Sequence, residues 1–451
     1  MKIEGQDSLM PLALRVLEQA SRQKKAQVEV YASRQKTFLC EVREGRIETL
    51  RQAVEQGLAL RVIHEGRLGF AWSTDMTDQG LQQAVEQAWD NAAYTAPDQN
   101  WELPEPAKVS PKPSDIDIDY AGLTTEQKIQ YAHDLETKTK AHDPRIKALE
   151  IAAYQDIFAQ EAVVNSKGLQ AESHGTYYVG RVTARAEQGD EKQMGYIIKM
   201  SRLLRDLGLP EIAMAAASRA VGALGARVPA TGEVPVVIDP WVLGQLLEAF
   251  VPAFSAQEAQ KGKSVLADKT GSRVGGPLVE LVDDGTLPGR PGSTACDSEG
   301  VATRRKALVS GGVLQGLLHN TYTAKKGGTT STGNAVRPSF KGLPDVGATN
   351  FFLAPGKESR EALLSRVSGG LYVEDAMGLH TVDPISGDFS LAVNGQWIEG
   401  GRLSYPVKGA TIAGNLLDLL GGVEAVASDL TFWTAVGSPT VLFRKMMVAG
   451  G

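Results

Sequence analysis

Two runs of alternating side chains constrain this chain more than anything else in it. KALEIAAYQDIFAQEAVVNS (147–166) and LQAESHGTYYVGRVTARAE (169–187) keep a period of two for most of their length. They meet at Asn165-Ser166-Lys167-Gly168, a turn rich in the residue types that reverse a strand. A period of two suits no helix, so this stretch predicts two long antiparallel strands joined by a tight turn. Upstream, QVEVYAS, FLCEV, IETLRQAVEQ and LALRVI read as four shorter strands of a meander, with turns at Glu44-Gly45-Arg46 and Glu65-Gly66-Arg67.

Helices are expected to pack on that sheet. One is capped by Asp7-Ser8 and runs to about Arg22, with Leu9, Leu12 and Val16 inward. A second opens at Thr77-Asp78, where Leu81, Ala84, Val85, Ala88, Trp89 and Ala92 follow helical spacing. A third spans Thr125 to His142, and an alanine-rich fourth spans Pro210 to Ala223. Between the second and third, Pro97, Pro104, Pro106, Pro111 and Pro113 make residues 96–119 an extended connector. The Gly/Pro seam Val228-Pro229-Ala230-Thr231-Gly232 marks a boundary. It separates an N-terminal α+β domain, 1–227, of antiparallel sheet with packed helices from a C-terminal domain, 228–451. The latter starts with strand EVPVVI and a helix with Asp239 as N-cap and Pro240 at its first position. Short strands with glycine turns follow (GGLYVEDA, GDFSLAV, NGQWIEGGRLSY, PTVLFRKMMVA), a β-rich, barrel-like pattern. The fold class is α+β.

Composition removes several function classes. With 451 residues there is ample core for two large domains, and a formal net charge of -6 argues against a nucleic-acid binder. The clusters Arg304-Arg305-Lys306 and Lys325-Lys326 read as solvated faces or anion contacts. Two cysteines, Cys40 and Cys296, build no disulfide framework and fit a reducing cytosol. The N-terminus lacks the form of a signal peptide, and no apolar run reaches the roughly 18 residues of a membrane span. A cytoplasmic protein with no membrane or nucleic-acid partner is expected.

The most unusual stretch runs from Asp297 to Arg337. It opens on the acidic turn Asp297-Ser298-Glu299-Gly300 and closes on Gly327-Gly328-Thr329-Thr330-Ser331-Thr332-Gly333-Asn334, where nearly every side chain is tiny or a short hydroxyl. Such a run buries little apolar area but lets another backbone come close. It is not a phosphate loop: Gly328 to Gly333 has the spacing, but Asn334-Ala335 stands where Lys-Ser should be. Gly262-Lys263-Ser264 has Gln257 in place of the first glycine. None of the histidines His64, His133, His142, His174, His319 and His380 pairs with another at i+4, and His64-Glu65 has Leu68 where a zincin needs its second histidine. No G-x-S-x-G elbow is present, and Ser33-x-x-Lys36 with Lys269-Thr270-Gly271 lacks a Ser-Asp-Asn element. From its residues alone, the chain has a glycine/hydroxyl-rich groove and no self-contained catalytic set.

Taken together, the motifs resemble the TldD/TldE (PmbA) metalloprotease family, formerly called modulators of DNA gyrase. The resemblance rests on Asp297-Ser298-Glu299-Gly300, Gly312-Val313-Leu314, Ser331 to Arg337, Ser386-Gly387-Asp388-Phe389-Ser390, Pro406 to Gly409 and Ile412 to Asn415. Gly57 to Val62, Gly66 to Ala71 and Asn165-Ser166-x-Gly168 extend it over almost the whole chain. It implies a cytosolic zinc peptidase of two related subunits. In TldD-type chains a His-Glu-x-x-x-His helix supplies two zinc ligands and a water-activating glutamate, and a later cysteine completes the ligands. Here the corresponding helix is expected at Asp239 to Lys263, with Leu247, Glu248 and Pro252 at the motif positions. Only the glutamate is kept, and no cysteine lies beyond Cys296.

The resemblance therefore implies a TldE/PmbA-type subunit with no metal and no catalytic residues of its own. It would be inactive without a zinc-bearing TldD-type partner and would help form a channel for unfolded or leader peptides. Thr332, Gly333, Asn334 and Arg337 are the expected contributors to the peptide groove or the subunit interface. The alternative is a non-catalytic peptide-binding or scaffolding protein acting alone as a homodimer.

Overall fold

The computed structural model describes residues 7–21, 25–106 and 116–450. Its first sheet has six antiparallel strands: β1 (Gln27–Arg43), β2 (Arg46–His64), β3 (Arg67–Ser73), β4 (Ile146–Asn165), β5 (Gln170–Gln188) and β6 (Glu191–Ser201), in the order β3-β2-β1-β4-β5-β6. The expected 147–187 hairpin is β4–β5, with Gly168 at φ +93° in its turn. β6 was not anticipated from the sequence.

The four short N-terminal runs are two long strands instead. The polar stretch Arg34 to Thr37 resembles a break, yet β1 is flanked there by both β2 and β4. Its polar side chains find cross-strand partners, as when Arg34 Nε donates to Gln56 Oε1 at 2.9 Å. Gly57 likewise sits inside β2, because a Cβ there would lie 2.2 Å from the Phe340 ring. The two Glu-Gly turns occur as expected, with all four residues at positive φ, as a tight hairpin requires.

Four helices cover one face of this sheet: α1 (Met10–Ala20), α2 (Asp78–Tyr94), α3 (Thr125–His142) and α4 (Leu209–Gly222). The even-numbered side chains of β1 point to them, Val28 and Val30 towards the α1/α2 core and Phe38, Cys40 and Val42 towards the α3/α4 core. α1 differs from expectation at both ends. Ser8 Oγ accepts from Met10 N at 3.1 Å, but Leu9 holds the N-cap position, and the helix stops at Ala20 with Arg22 outside the described residues. α2 begins on Thr77, whose hydroxyl accepts from Gly80 N, and α3 on a Thr124/Gln127 capping box. In the connector, residues 107–115, including Pro111 and Pro113, lie outside the described residues.

After residue 231 the chain builds a closed barrel. β7 (Gly232–Ile238) pairs with strands Gly369–Met377 and Val441–Gly450. Strands Asp388–Glu399 and Arg402–Asn415 continue the sheet, and Ala410 to Ala413 pair back onto Met447 to Gly450. Five strands thus close a ring, so the barrel-like expectation holds. A second mixed sheet, from residues 281–314, 351–353 and 431–438, lies beside it. Inside the C-terminal region sits α5 (Pro240–Phe250), N-capped by Asp239, whose carboxylate accepts from Trp241 N. The expected helix 239–263 does not persist. Pro252 has no N–H to give and crowds the carbonyl four residues back, so the chain passes through a 3-10 turn at Val251–Phe254. It then restarts as α6 (Ala256–Gln260), capped by Ser255.

Two glycines set how close the helices lie. A Cβ at Gly69 would fall 1.8 Å from Ala88 O in α2, and one at Gly195 would fall 2.2 Å from Ala216 O in α4. Gly69→Ala and Gly195→Ala are each expected to cost about 1–3 kcal/mol by forcing helix and sheet apart. A lowered urea midpoint with unchanged far-UV circular dichroism would show it, and an unchanged midpoint would contradict this packing.

Candidate functional site

The sheet face opposite the helices carries charge into the interior. Glu29 on β1 lies directly across from Arg61 on β2, and both are buried. Arg61 Nε donates to Glu29 Oε1 at 2.8 Å, and Arg61 Nη2 donates to Glu299 Oε1 at 2.9 Å. Arg337 also donates to Glu29 and stacks over the Tyr31 ring at 4.7 Å. Glu299 Oε2 accepts from Thr321 N at 2.8 Å. Two N-terminal residues are thereby locked to two from the C-terminal region. Burial alone would raise the Glu29 carboxyl, but the Arg61 and Arg337 guanidiniums override it and hold it below the usual glutamate range.

The turn 297–300 delivers Glu299 to this place. Asp297 accepts from Glu299 N, Val301 N and Ala335 N, each at 2.9 Å, and ties the turn to the start of the strand that follows Asn334. Burial, with the neighbouring Glu299 charge, pushes the Asp297 carboxyl up. Gly300 adopts φ +81° with Leu169 against it, where a Cβ would be 2.6 Å from Leu169 Cδ2.

The glycine/hydroxyl run is exposed from Lys325 to Thr330 and turns inward after that. Thr332 Oγ1 lies 2.8 Å from Asn334 Oδ1 and accepts from His319 N at 2.7 Å. Asn334 is buried and donates to Asp283 Oδ2 and Gly347 O, both at 2.9 Å. Gly333 has φ +73°, and a Cβ on it would be 2.5 Å from Ala302 O. The backbone that comes close to Gly333 is the chain's own. Gly333, Asn334 and Arg337 nonetheless border a cavity of about 240 Å³ between the sheet face and the C-terminal region, also lined by Glu161, His174 and Asp297. Thr332 is not among its walls; it braces Asn334 from behind.

Leu247, Glu248 and Pro252 lie elsewhere, on and just after α5. Leu247 is buried in the core, and Glu248 is exposed, with a 3.4 Å contact from Thr434 Oγ1. Around Glu248 stand Tyr196, Trp241, Gln245 and Trp433, with no imidazole or thiolate. That donor set does not fit zinc, which takes three or four N, S or O ligands. Among the described residues no three His, Cys, Asp or Glu side chains converge as a metal site requires. Cys40 and Cys296 are both buried and are not joined in a disulfide. The basic clusters are engaged in ion pairs, Lys306 with Asp283 at 2.8 Å and Lys325 with Glu102 at 2.9 Å. No described helix is long and apolar enough to cross a membrane.

Sequence reasoning missed the role of Glu29 and Arg61. The one available signal was a charged residue at an inward position of each of two otherwise apolar strands, QVEVYAS and LALRVI. Removing one partner of a buried pair strands the other, so Glu29→Gln or Arg61→Met is expected to cost about 3–5 kcal/mol. The pH dependence has a definite sign. Because the folded Glu29 carboxyl is held below its ordinary value near 4.5, its contribution is complete above that value and is lost as pH falls through the depressed one. Urea midpoints measured from pH 7 downward should drop more steeply in the unmodified chain than in Glu29→Gln. Parallel curves would rule the network out as the acid-sensitive element.

Comparison with known proteins agrees with this architecture. Three family models match in succession: PmbA/TldA metallopeptidase domain 1 at residues 28–92, the central domain at 118–224 and the C-terminal domain at 231–450. Metalloprotease PmbA of Escherichia coli O157:H7 is 27% identical over 451 residues, covering 100% of this chain and 98% of that protein. A Thermotoga maritima crystal structure, described as a candidate modulator of a DNA gyrase, superposes with a TM-score of 0.90 at 27% identity, covering 98% of this chain and 100% of that one. TldE from Thermococcus kodakarensis shares the fold, with a TM-score of 0.86 at 24% identity over 98% of this chain and 99% of that one. With the models matching from the first sheet through the barrel, the chain belongs to the PmbA/TldD metallopeptidase family.

Proposed function

We propose that this chain is a TldE/PmbA-type subunit that carries no metal and completes a peptidase with a zinc-bearing TldD-type partner in the cytoplasm. The observation that carries this reading is the environment of Glu248: a lone carboxylate beside a core leucine and a helix-breaking proline, walled by aromatic rings. A carboxylate can take a proton from water, but without a metal that water stays far too weak a nucleophile to open a peptide bond. The substrates in this reading are unfolded or leader peptides. Gly333, Asn334 and Arg337 border the peptide path or the interface, and Thr332 holds Asn334 in place.

Hydrolysis of an unfolded peptide by the purified chain, alone and mixed with a His-Glu-x-x-x-His relative, tests this reading. Activity is expected only in the mixture, and a chelator should abolish it. Chelator-sensitive cleavage by this chain alone would overturn the proposal.

One observation favours the second reading, a homodimer acting without proteolysis. β3 pairs with residues 58–64 of β2, and among the described residues no strand pairs with the same edge at residues 46–57. Ile47, Leu50 and Val54 are exposed along it. An open edge of this kind is a template for pairing with a second strand. Light scattering on the isolated chain should then report a dimer that Leu50→Lys dissociates, whereas a monomer would remove this reading.

A further inference from the structure

α5 meets the end of β6 at a small recess of about 120 Å³. Its polar and aromatic walls are Tyr196 from β6, Trp241, Gln245 and Glu248 from α5, and Trp433 and Thr434 from the segment that crosses them. The backbone fixes this arrangement, because Met200 N donates to Trp433 O at 2.8 Å and joins the crossing segment to β6. The Trp241 and Trp433 rings meet edge to face at 5.8 Å and 82°, and the Tyr196 ring centroid is 5.9 Å from that of Trp241.

One feature of these walls is left unmatched by the rest of the fold. Among the described residues Glu248 has no cationic partner, and its one hydrogen bond is the 3.4 Å contact with Thr434 Oγ1. Although the residue is exposed, its carboxyl is partly desolvated where it meets the recess, and that raises its pKa.

We propose that the recess binds a primary ammonium group of a peptide, seated between the Glu248 carboxylate and the rings of Tyr196, Trp241 and Trp433. A carboxylate supplies charge-assisted hydrogen bonds to such a group, and aromatic faces attract its charge through their quadrupoles. A single carboxylate with aromatic walls suits an organic cation, whereas a metal ion would require more oxygen or nitrogen donors. A primary ammonium is a compact charge with three rotatable donors, which one carboxylate beside aromatic faces can pair. Both a lysine side chain and a free N-terminus carry the required group. The helix that holds the catalytic motif in TldD-type relatives would here hold an end or a side chain of the peptide. The proposal rests on the peptide-handling reading above, but its test uses the isolated chain and a small amine, so either can fail without the other.

The experiment is a titration of n-butylamine and of Nα-acetyl-lysine amide into the full chain, followed by indole fluorescence, with n-butanol as the neutral control. Saturable quenching by both amines is expected, with the butanol response at least roughly tenfold weaker. Glu248→Gln should weaken amine binding by about tenfold or more while leaving the melting temperature unchanged, because the side chain is exposed. Gln245→Glu adds a second carboxylate to the same wall and should tighten binding, a gain that misfolding cannot produce. Trp433→Leu should remove the fluorescence response. Two tripeptides, one with only a free N-terminus and one with only a free lysine amine, then identify the source, and preferential binding of either supports the site. Equal response to butanol, or affinities unchanged in both Glu248→Gln and Gln245→Glu, would overturn it.

Discussion

Four charges removed from water hold the two halves of this protein in register. Glu29 and Arg61 pair with each other within the first sheet, and each takes a second partner from the C-terminal region, Glu299 on Arg61 and Arg337 on Glu29. Taking such ions into a low-dielectric interior costs several kcal/mol each, and their mutual attraction offsets this only when geometry and supporting hydrogen bonds are good. The supporting contacts are present: the Thr321 amide on Glu299, the Tyr31 ring beneath Arg337, and the Asp297 turn that sets the approach of Glu299. An apolar junction could slide by a residue. This one has a single register, and the cavity between the halves inherits its shape from it.

Much of the fold was legible because it follows local rules. The β4–β5 hairpin, the helical spacing of α2, the Asp239-Pro240 start of α5 and the Glu-Gly turns depend on periodicity and backbone preference within a few residues. The errors arose where distant contacts override such rules. Arg34 to Thr37 look like a break until β4 arrives on the other side to pair with them. Gly57 falls between two of the short runs, yet it lies inside one strand with Phe340 packed over it. At α5 the proline was visible, but a helix drawn through it to match a family motif was longer than the backbone permits.

The candidate site was legible in a different way. Composition identified the glycine/hydroxyl run and inferred that another backbone approaches it, and at Gly333 that backbone is Ala302 of the same chain. The residues singled out there, Thr332 and Asn334, spend their hydrogen bonds on His319, Asp283 and Gly347. Small side chains at this position let the interior close around a polar cavity. No pattern within one segment announces a cavity whose walls come from β4, β5, the 297–300 turn and the 333–337 segment.

The barrel carries a consequence for how the molecule is made. β7 lies between strands 369–377 and 441–450, so neither of its sheet neighbours exists until long after it has left the ribosome. The first sheet has no such delay, since all six of its strands and their four helices precede residue 223. During synthesis the N-terminal half can therefore assemble while β7 and α5 wait as unpaired apolar segments, a state open to aggregation and to chaperone capture. Over the same interval the face bearing Glu29 and Arg61 stands in water, where its charges are well solvated. Until the late half arrives, a cross-strand ion pair on that face presents less apolar surface than an apolar junction would.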